Sequence, residues 1–275
     1  MNIKIKKNYD EMSKQAAKII ADYIELKPDC VLGLATGSTP IGTYKELIKI
    51  HKEKGLDFSK VRTFNLDEYY GLSIDLNKPY DLDQSYARFM YEEFFKYINI
   101  KNENIYIPDG KTKDYKSYCL WYEDQIKKVG GIDLQLLGLG RDGHWGFNEP
   151  GSSLGSRTRV IALTKQTLDD NYESFYKKSN INRNNMPHFA ITMGIGTILE
   201  AKNILMIVNG VKKADILAKC LEGPISSQVT SSAIQLYNGG INIVIDEEAA
   251  SKLKNIDYYK HIDNLKKNLN YKNSN

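Results

Sequence analysis

Short apolar runs alternate along this chain with longer segments that are apolar on one face only. The short runs occupy residues 31–35, 61–66, 105–107, 134–139, 160–163, 189–192, 204–208 and 241–245. A short continuous apolar run bounded by turn residues is typical of a buried strand. Residues 12–23, 85–97 and 115–127 instead place their apolar side chains at helical spacing. This alternation predicts an α/β fold with a mainly parallel sheet flanked by helices on both sides.

The pattern is not divided by a proline-rich linker, an internal repeat or a low-complexity block. We therefore predict a single domain over residues 1–275. Residues 164–187 differ from the rest because they form a long polar stretch, rich in Asn, Lys and Tyr, between two apolar runs. We interpret this stretch as a helical or loop-like lid over a ligand site, with a solvated helix and loop as the alternative.

Composition narrows the classes of function. Of the 275 residues, 41% are hydrophobic and 26% are charged, as in ordinary globular proteins. The formal net charge is +4 and the lysines are scattered, so we expect no nucleic-acid partner. A small excess of positive charge suits an anionic small-molecule substrate.

We expect neither a membrane-spanning segment nor a signal peptide for secretion. The run at 204–208 is far too short to span a bilayer, and residues 1–7 lack the apolar centre of a signal peptide. Cys30, Cys119 and Cys220 are odd in number and widely spaced, which argues against a disulfide framework or a metal knuckle. We expect reduced, buried thiols in a cytoplasmic protein.

The strongest chemical signal follows the run at 134–139. The loop 138–150 reads GLGRDGHWGFNEP and places His144 between Asp142 and Glu149. An imidazole moves protons near neutral pH, and a neighbouring carboxylate can fix its tautomer. We predict a catalytic acid/base at His144, with a histidine that merely packs in a loop as the alternative.

Two other functions of this loop are not favoured. Its GxGxxG spacing resembles a dinucleotide-binding turn, but a Gly and a Pro follow where that motif needs an amphipathic helix. A metal site is not expected, because none of the other three histidines lies within ligand spacing of His144.

A second segment suits an anion. Residues 36–40 read TGSTP directly after a predicted strand, with Thr39 placed as a helix N-cap and Pro40 as the first helical residue. Backbone N–H groups at such a helix start bind phosphate well, although a capped turn without a ligand is the commoner case. Lys213, after the run at 204–208, can reach an anion held at neighbouring strand ends, with an ordinary surface lysine as the alternative.

A third segment ends the run at 61–66 with Asp67 and Glu68. A carboxylate at this edge of the sheet can shuttle a proton between neighbouring carbons of a sugar. A solvated acidic strand end is the alternative, and the segment alone favours it.

Together these segments resemble the glucosamine-6-phosphate deaminases (isomerases) over nearly the whole chain. The resemblance is carried by LATGSTPIGTYKEL (34–47), TFNLDEYYGL (63–72), LGLGRDGHWGFNEPGSSLGSRTRV (137–160), ITMGIGTIL (191–199) and VNGVKKA (208–214). It implies conversion of glucosamine 6-phosphate to fructose 6-phosphate and ammonia without a metal or organic cofactor.

The resemblance also implies roles for particular residues. His144 would open the pyranose ring, Asp142 and Glu149 would orient it, and Asp67 would move the proton between C2 and C1. The phosphate would be held by the backbone of Gly37, Ser38 and Thr39, by the Thr39 hydroxyl and by Lys213.

This sequence departs from the family pattern in the predicted lid. The usual arginine of an Asn-x-Arg-x-Phe motif is replaced by Glu173, and Arg183 is a candidate to compensate for it. Ser152, Ser153 and Arg159 match parts of an allosteric site found in some members, but Ile161 stands where a lysine is usual.

Three alternatives remain. They are galactosamine 6-phosphate as the substrate, a 6-phosphogluconolactonase-like hydrolase as the enzyme, and a sugar-phosphate sensor without catalysis. The segment Phe147–Pro150 with its second acid favours the deaminase over the lactonase. The predicted first strand leaves no room for the helix-turn-helix segment of such a sensor. Homo-oligomerisation is left open.

Overall fold

A computed structural model describes residues 1–72, 85–173 and 186–273 of the chain. Its main sheet has seven strands, all parallel, in the spatial order β1-β10-β9-β6-β2-β3-β5. The strands are β1 (Asn2–Lys6), β2 (Val31–Leu34), β3 (Arg62–Asn65), β5 (Ile105–Tyr106), β6 (Leu134–Leu137), β9 (Asn203–Val208) and β10 (Gly240–Asp246). The predicted α/β class with a mainly parallel sheet is confirmed.

A second, smaller sheet was not predicted. It consists of β4 (Asp67–Tyr69), β8 (Phe189–Thr192) and β7 (Arg159–Ala162), all antiparallel, with β8 in the centre. The runs at 160–163 and 189–192 are strands as predicted, but they belong to this sheet. Leu66 joins the two sheets, because its N–H donates to Leu34 O at 3.1 Å and its carbonyl accepts from Met193 N at 2.7 Å.

Helices cover both faces of the main sheet. They are α1 (Tyr9–Leu26), α2 (Ile41–Lys54), α3 (Tyr86–Glu93), α4 (Tyr115–Lys128), α5 (Lys165–Asn171), α6 (Ile195–Leu199), α7 (Ala214–Glu222), α8 (Glu247–Ala250) and α9 (Ile256–Asn273).

The core lies in two layers, one on each face of the main sheet. Successive residues of β9 alternate between them: Ile204 and Met206 pack with α4, α6 and α7, whereas Leu205 and Ile207 pack with α1, α2 and α3. This alternation is the ordinary consequence of a strand in which neighbouring side chains point to opposite faces. An uninterrupted apolar run is therefore what a strand covered on both sides requires.

The predicted lid is described only in part. Residues 165–171 form α5, and residues 174–185, including the candidate Arg183, lie outside the described residues. Cys30, Cys119 and Cys220 are buried free thiols, as expected. In the described part of the chain, no helix combines the length and apolar character needed to cross a bilayer.

Candidate active site

A cavity of about 550 Å³ opens at the carboxyl edge of the main sheet. Six of the eight predicted site residues line it: Gly37, Ser38, Thr39, Asp67, His144 and Lys213. They follow the carboxyl ends of four strands, β2, β3, β6 and β9, which the parallel topology brings to one edge, and Asp67 among them begins β4. Asp142 and Glu149 lie behind His144, in contact with it.

The 36–40 turn is held open toward the cavity. Gly37 adopts a φ of 98°, and a side chain there would meet nothing within 4 Å. From behind, the Tyr9 hydroxyl accepts from Gly42 N at 2.7 Å and lies 3.1 Å from the Ser38 carbonyl. The backbone of the turn is thus anchored on one side and faces open space on the other, as an anion site requires.

The prediction that Thr39 caps the following helix is wrong. Helix α2 begins at Ile41, Pro40 occupies the N-cap position, and no side chain caps the helix. The Thr39 hydroxyl instead donates to Asn209 Oδ1 at 2.8 Å. This contact ties the turn after β2 to the loop after β9, so Thr39 joins two of the loops that line the cavity.

Lys213 is the cation that reaches this edge from the loop after β9. Its Nζ donates to the Leu139 carbonyl at 2.7 Å, at the start of the histidine loop. Burial, and to a smaller extent the nearby Arg141 charge, lowers the pKa of Lys213 to about 8 against the opposing effects of Asp142 and Asp170. A buried ammonium with a neutral partner lacks a compensating negative charge, so it favours an anionic ligand.

Two carboxylates lie beside the same nitrogen of the His144 ring. Its Nδ1 lies 2.6 Å from Asp142 Oδ1 and 4.0 Å from Glu149 Oε2. Asp142 Oδ1 lies out of line with the ring N–H and also accepts the backbone N–H of His144 at 3.1 Å. Burial alone would raise the pKa of Asp142, but the ring and this backbone N–H outweigh it and lower the pKa.

Two further contacts fix the geometry of this loop. A Cβ on Gly140 would lie 2.6 Å from three atoms of the imidazole, so only glycine lets the ring occupy its place. Glu149 is 3% exposed, and it accepts from the backbone N–H and the hydroxyl of Thr164, both at 3.3 Å. The second acid is thereby linked to the residue that caps α5.

Asp67 approaches the cavity from the second sheet. It is 5% exposed, and burial raises its pKa well above the ordinary value, with a further increase from the charge of Glu68. A Cβ on Gly146 would lie 3.1 Å from Asp67 Oδ2 and 2.7 Å from Thr192 Oγ1. The histidine loop therefore passes directly beside the Asp67 carboxylate.

Glu68 is not the solvated acid that the segment alone favoured. It is completely buried, and its carboxylate accepts three backbone N–H groups, from Tyr69 at 2.8 Å, Tyr86 at 3.0 Å and Ala87 at 2.9 Å. Burial raises the pKa of Glu68 to about 7 against the effect of these donors. Glu68 thus attaches the start of α3 to the strand that carries Asp67.

Among the lining residues that the sequence analysis did not assign to the site are Tyr86, Arg141 and Asp170. Tyr86 is the first residue of α3, and its ring stacks on Phe147 with centroids 5.7 Å apart and planes 4° apart. Arg141 Nη1 lies 3.0 Å from Asp170 Oδ1 of α5. The sequence could have pointed to Arg141, because it lies three residues before His144. It could not have pointed to the contact with Asp170, which lies 29 residues away.

The ligand atoms of Asp142, His144 and Glu149 lie within 4.8 Å of one another. Two carboxylates and one imidazole are donors that a divalent cation accepts. The prediction of a metal-free site therefore stays a prediction.

Residues 5–240 match the family model of glucosamine-6-phosphate isomerases/6-phosphogluconolactonase. The chain therefore belongs to this family of sugar-phosphate enzymes.

Relatives within the family agree in name. The glucosamine-6-phosphate deaminase of Clostridium acetobutylicum (strain ATCC 824) is 49% identical over 253 residues, which cover 92% of this chain and 100% of the relative. That of Thermoanaerobacter sp. (strain X514) is 46% identical over 257 residues, which cover 94% of this chain and 97% of the relative.

Solved structures extend the comparison. A monomeric glucosamine-6-phosphate deaminase, 44% identical, superposes with a TM-score of 0.85 and covers 92% of this chain and 100% of its own. The 6-phosphogluconolactonase from Trypanosoma brucei reaches a TM-score of 0.67 at 20% identity, covering 92% of this chain and 98% of its own. The second likeness concerns the fold alone.

Proposed function

We propose that this protein is a glucosamine-6-phosphate deaminase, which converts glucosamine 6-phosphate and water to fructose 6-phosphate and ammonia. One observation carries the proposal: Asp67 and His144 line the same cavity as the 36–40 turn and Lys213, and Asp142 and Glu149 lie beside the His144 ring. The cavity thus combines two separate acid/base groups with a cationic end. Relatives at 46% and 49% identity that bear the deaminase name support the same function.

Ring opening is assigned to His144. The side chain takes the proton of the C1 hydroxyl and returns a proton to the ring oxygen as the C1–O5 bond breaks, which leaves an open-chain aldehyde. Asp142, 2.6 Å from Nδ1, favours the tautomer or charge state in which Nδ1 carries hydrogen. Nε2 is then the nitrogen that exchanges protons with the sugar. Glu149, further away, stabilises positive charge on the ring.

The carbon chemistry is assigned to Asp67. Its carboxylate removes the C2 proton while the aldehyde oxygen takes a proton from solvent, which gives an enolamine. Asp67 then returns a proton to C1 and the nitrogen releases one to solvent, which leaves an imine at C2. Water adds to that carbon and ammonia leaves, so the ketone of fructose 6-phosphate forms. A carboxylate whose pKa is raised by burial is a stronger base than an exposed one.

The phosphate is assigned to the 36–40 turn and Lys213. The backbone of Gly37, Ser38 and Thr39 faces the cavity beside the Lys213 ammonium. The Thr39 hydroxyl is already engaged with Asn209, so its phosphate contact requires rotation away from that partner. Anchoring the phosphate here fixes the distance between the far end of the sugar and the two acid/base groups.

A three-substrate assay tests the proposal. Ammonia release is measured with glucosamine 6-phosphate and with galactosamine 6-phosphate, and hydrolysis is measured with 6-phosphogluconolactone, each with and without EDTA. We expect ammonia from glucosamine 6-phosphate at a rate that EDTA does not change. Faster release from the galactosamine epimer would reassign the substrate, lactone hydrolysis alone would reassign the reaction, and inactivity with all three would favour the sensor.

Three further proposals accompany this function. Residues 1–275 act as a single domain, the protein works in the cytoplasm, and residues 164–187, of which 174–185 lie outside the described residues, form a lid over the bound sugar. The last is supported by the position of α5, since Thr167, Asp170 and Asn171 line the cavity.

A further inference from the structure

We propose that Arg141 is a phosphate-binding residue of this site, and that Asp170 holds its guanidinium in the unliganded enzyme and competes with the substrate for it. The inference deepens the proposed function, on which it rests. Neither residue belonged to the anion site expected from the sequence.

The first step is position. Arg141 lies in the histidine loop and Asp170 lies in α5, and both side chains line the cavity that contains the 36–40 turn and Lys213. Their contact, 3.0 Å between Nη1 and Oδ1, joins the loop to the helix across the cavity wall. The guanidinium is therefore held at a point that a ligand in the cavity can reach.

The second step is the balance of charge. Lys213 donates to a carbonyl oxygen, and among the described residues no carboxylate forms an ion pair with its ammonium. Arg141 is close enough to lower the pKa of this lysine. Two cations thus face one region of the cavity, and Asp170 is the carboxylate that pairs with the outer one. A phosphate dianion placed between them would relieve this repulsion.

The third step is exchange of partners. The Arg141 and Asp170 side chains are 54% and 32% exposed, and an ion pair so accessible to water contributes about 1 kcal/mol or less. A phosphate carries more charge than a carboxylate and offers three oxygens, and a guanidinium binds two of them in parallel. The substrate can therefore replace Asp170 as the partner of Arg141.

The competing explanation is a purely structural ion pair that fastens α5 to the histidine loop. The two explanations predict opposite results for Asp170. If Asp170 competes with phosphate, its removal frees Arg141 and strengthens substrate binding. If the pair only fastens α5, its removal loosens the cavity wall and weakens binding.

The test compares Arg141→Gln, Asp170→Asn and the control Arg157→Gln. Arg157 pairs with Glu123 and Glu200 and does not line the cavity, so its replacement removes an arginine without touching the site. The measurements are kcat and KM for glucosamine 6-phosphate, and the Kd of inorganic phosphate by calorimetry.

We expect Arg141→Gln to raise KM and the phosphate Kd about 10- to 100-fold, the loss typical of a charged hydrogen-bonding partner, with a smaller effect on kcat. Asp170→Asn should lower both constants, and Arg157→Gln should leave both unchanged. Equal constants for Arg141→Gln and Arg157→Gln, or a higher KM for Asp170→Asn, would overturn the proposal. The calorimetric measurement of phosphate binding does not require turnover. If the protein were inactive on hexosamine phosphates, the proposed function would be refuted, but the phosphate Kd would still test the role of Arg141.

Discussion

One oxygen of Asp142 contacts His144 twice, because Oδ1 lies 2.6 Å from the ring Nδ1 and accepts the backbone N–H of the same residue at 3.1 Å. The carboxylate is thus fixed to the backbone of the residue whose ring it orients. A histidine held in this way presents its other nitrogen to the cavity in a constant position. We regard this relationship as the basis of the ring-opening step.

Asp142→Asn is expected to slow turnover of the cyclic sugar by about 10²- to 10⁴-fold, the range for a group that supports acid/base catalysis. The amide keeps the size of the side chain but cannot stabilise a charged imidazole. The measurement is kcat by ammonia release, beside His144→Gln. Because both changes disable the same step, kcat of the double variant should be nearly the same as kcat of the slower single variant. A decrease in kcat equal to the product of the two single decreases would contradict this shared role.

Asp67→Asn is expected to abolish exchange of the C2 proton with solvent. The amide preserves the buried volume but cannot accept a proton from carbon. The measurement is incorporation of deuterium from deuterated water into the sugar, followed by NMR. Asp29→Asn, an exposed change far from the cavity, is the control, and exchange at the wild-type rate in Asp67→Asn would remove the assignment.

Lys213 is expected to give kcat/KM an alkaline limb. Its pKa is lowered to about 8, so the ammonium is present below that pH and is lost as the pH rises through it. Attraction for the sugar phosphate should fall over the same interval. In Lys213→Arg the limb should move to higher pH, because a guanidinium stays charged. The same change at the exposed neighbour Lys212 should leave the profile of the wild type, and an unshifted limb in Lys213→Arg would assign it to another group.

Glu68 is expected to make the protein less stable as the pH rises. Its pKa is raised from 4.5 to about 7 in the folded state, so the folded protein binds the proton more tightly than the unfolded chain. The corresponding stability is fully present below pH 4.5 and is lost as the pH rises through about 7. Glu68→Gln should therefore flatten the pH dependence of the free energy of unfolding over this interval.

Denaturant unfolding at a series of pH values measures this effect. Glu53→Gln, an exposed change on α2, serves as the control and should keep the wild-type slope. Asp67 shifts in the same direction, so some slope should remain in Glu68→Gln. An unaltered slope would mean that Glu68 is ionised in the folded protein throughout this range.

The sequence predicted a strand at each short apolar run. All eight runs form strands, both where the strand is fully buried, as in β2 and β6, and where it is only half-buried, as in β5 and β7. The sequence analysis missed β1, where Ile and Lys alternate, and β4, whose short stretch Asp67–Tyr69 contains two acids. Strands of this kind lack the signal because their burial comes from neighbours distant in the chain.

The candidate site shows the same division. Asp142, His144 and Glu149 lie in one loop, so their proximity followed from the chain itself. Thr39 was predicted to cap α2 because the local sequence pattern fits a helix N-cap. Its hydroxyl instead donates a hydrogen bond to Asn209, 170 residues away. The burial of Glu68 depends on α3, which no spacing along the chain connects to β4. Tertiary contacts of this kind override local propensity.

The two acid/base residues belong to different sheets. Asp67, which acts on carbon, lies on the small sheet, and His144, which acts on the ring oxygen, follows a strand of the large sheet. Their distance is set by how the sheets meet at Leu66, and local opening of the small sheet would cost less than melting of the whole core. Activity should therefore be lost at a lower temperature than the one at which the whole protein unfolds. At such a temperature the activity would depend on how the two sheets fit together, while the circular dichroism of the helices would still be that of the folded protein.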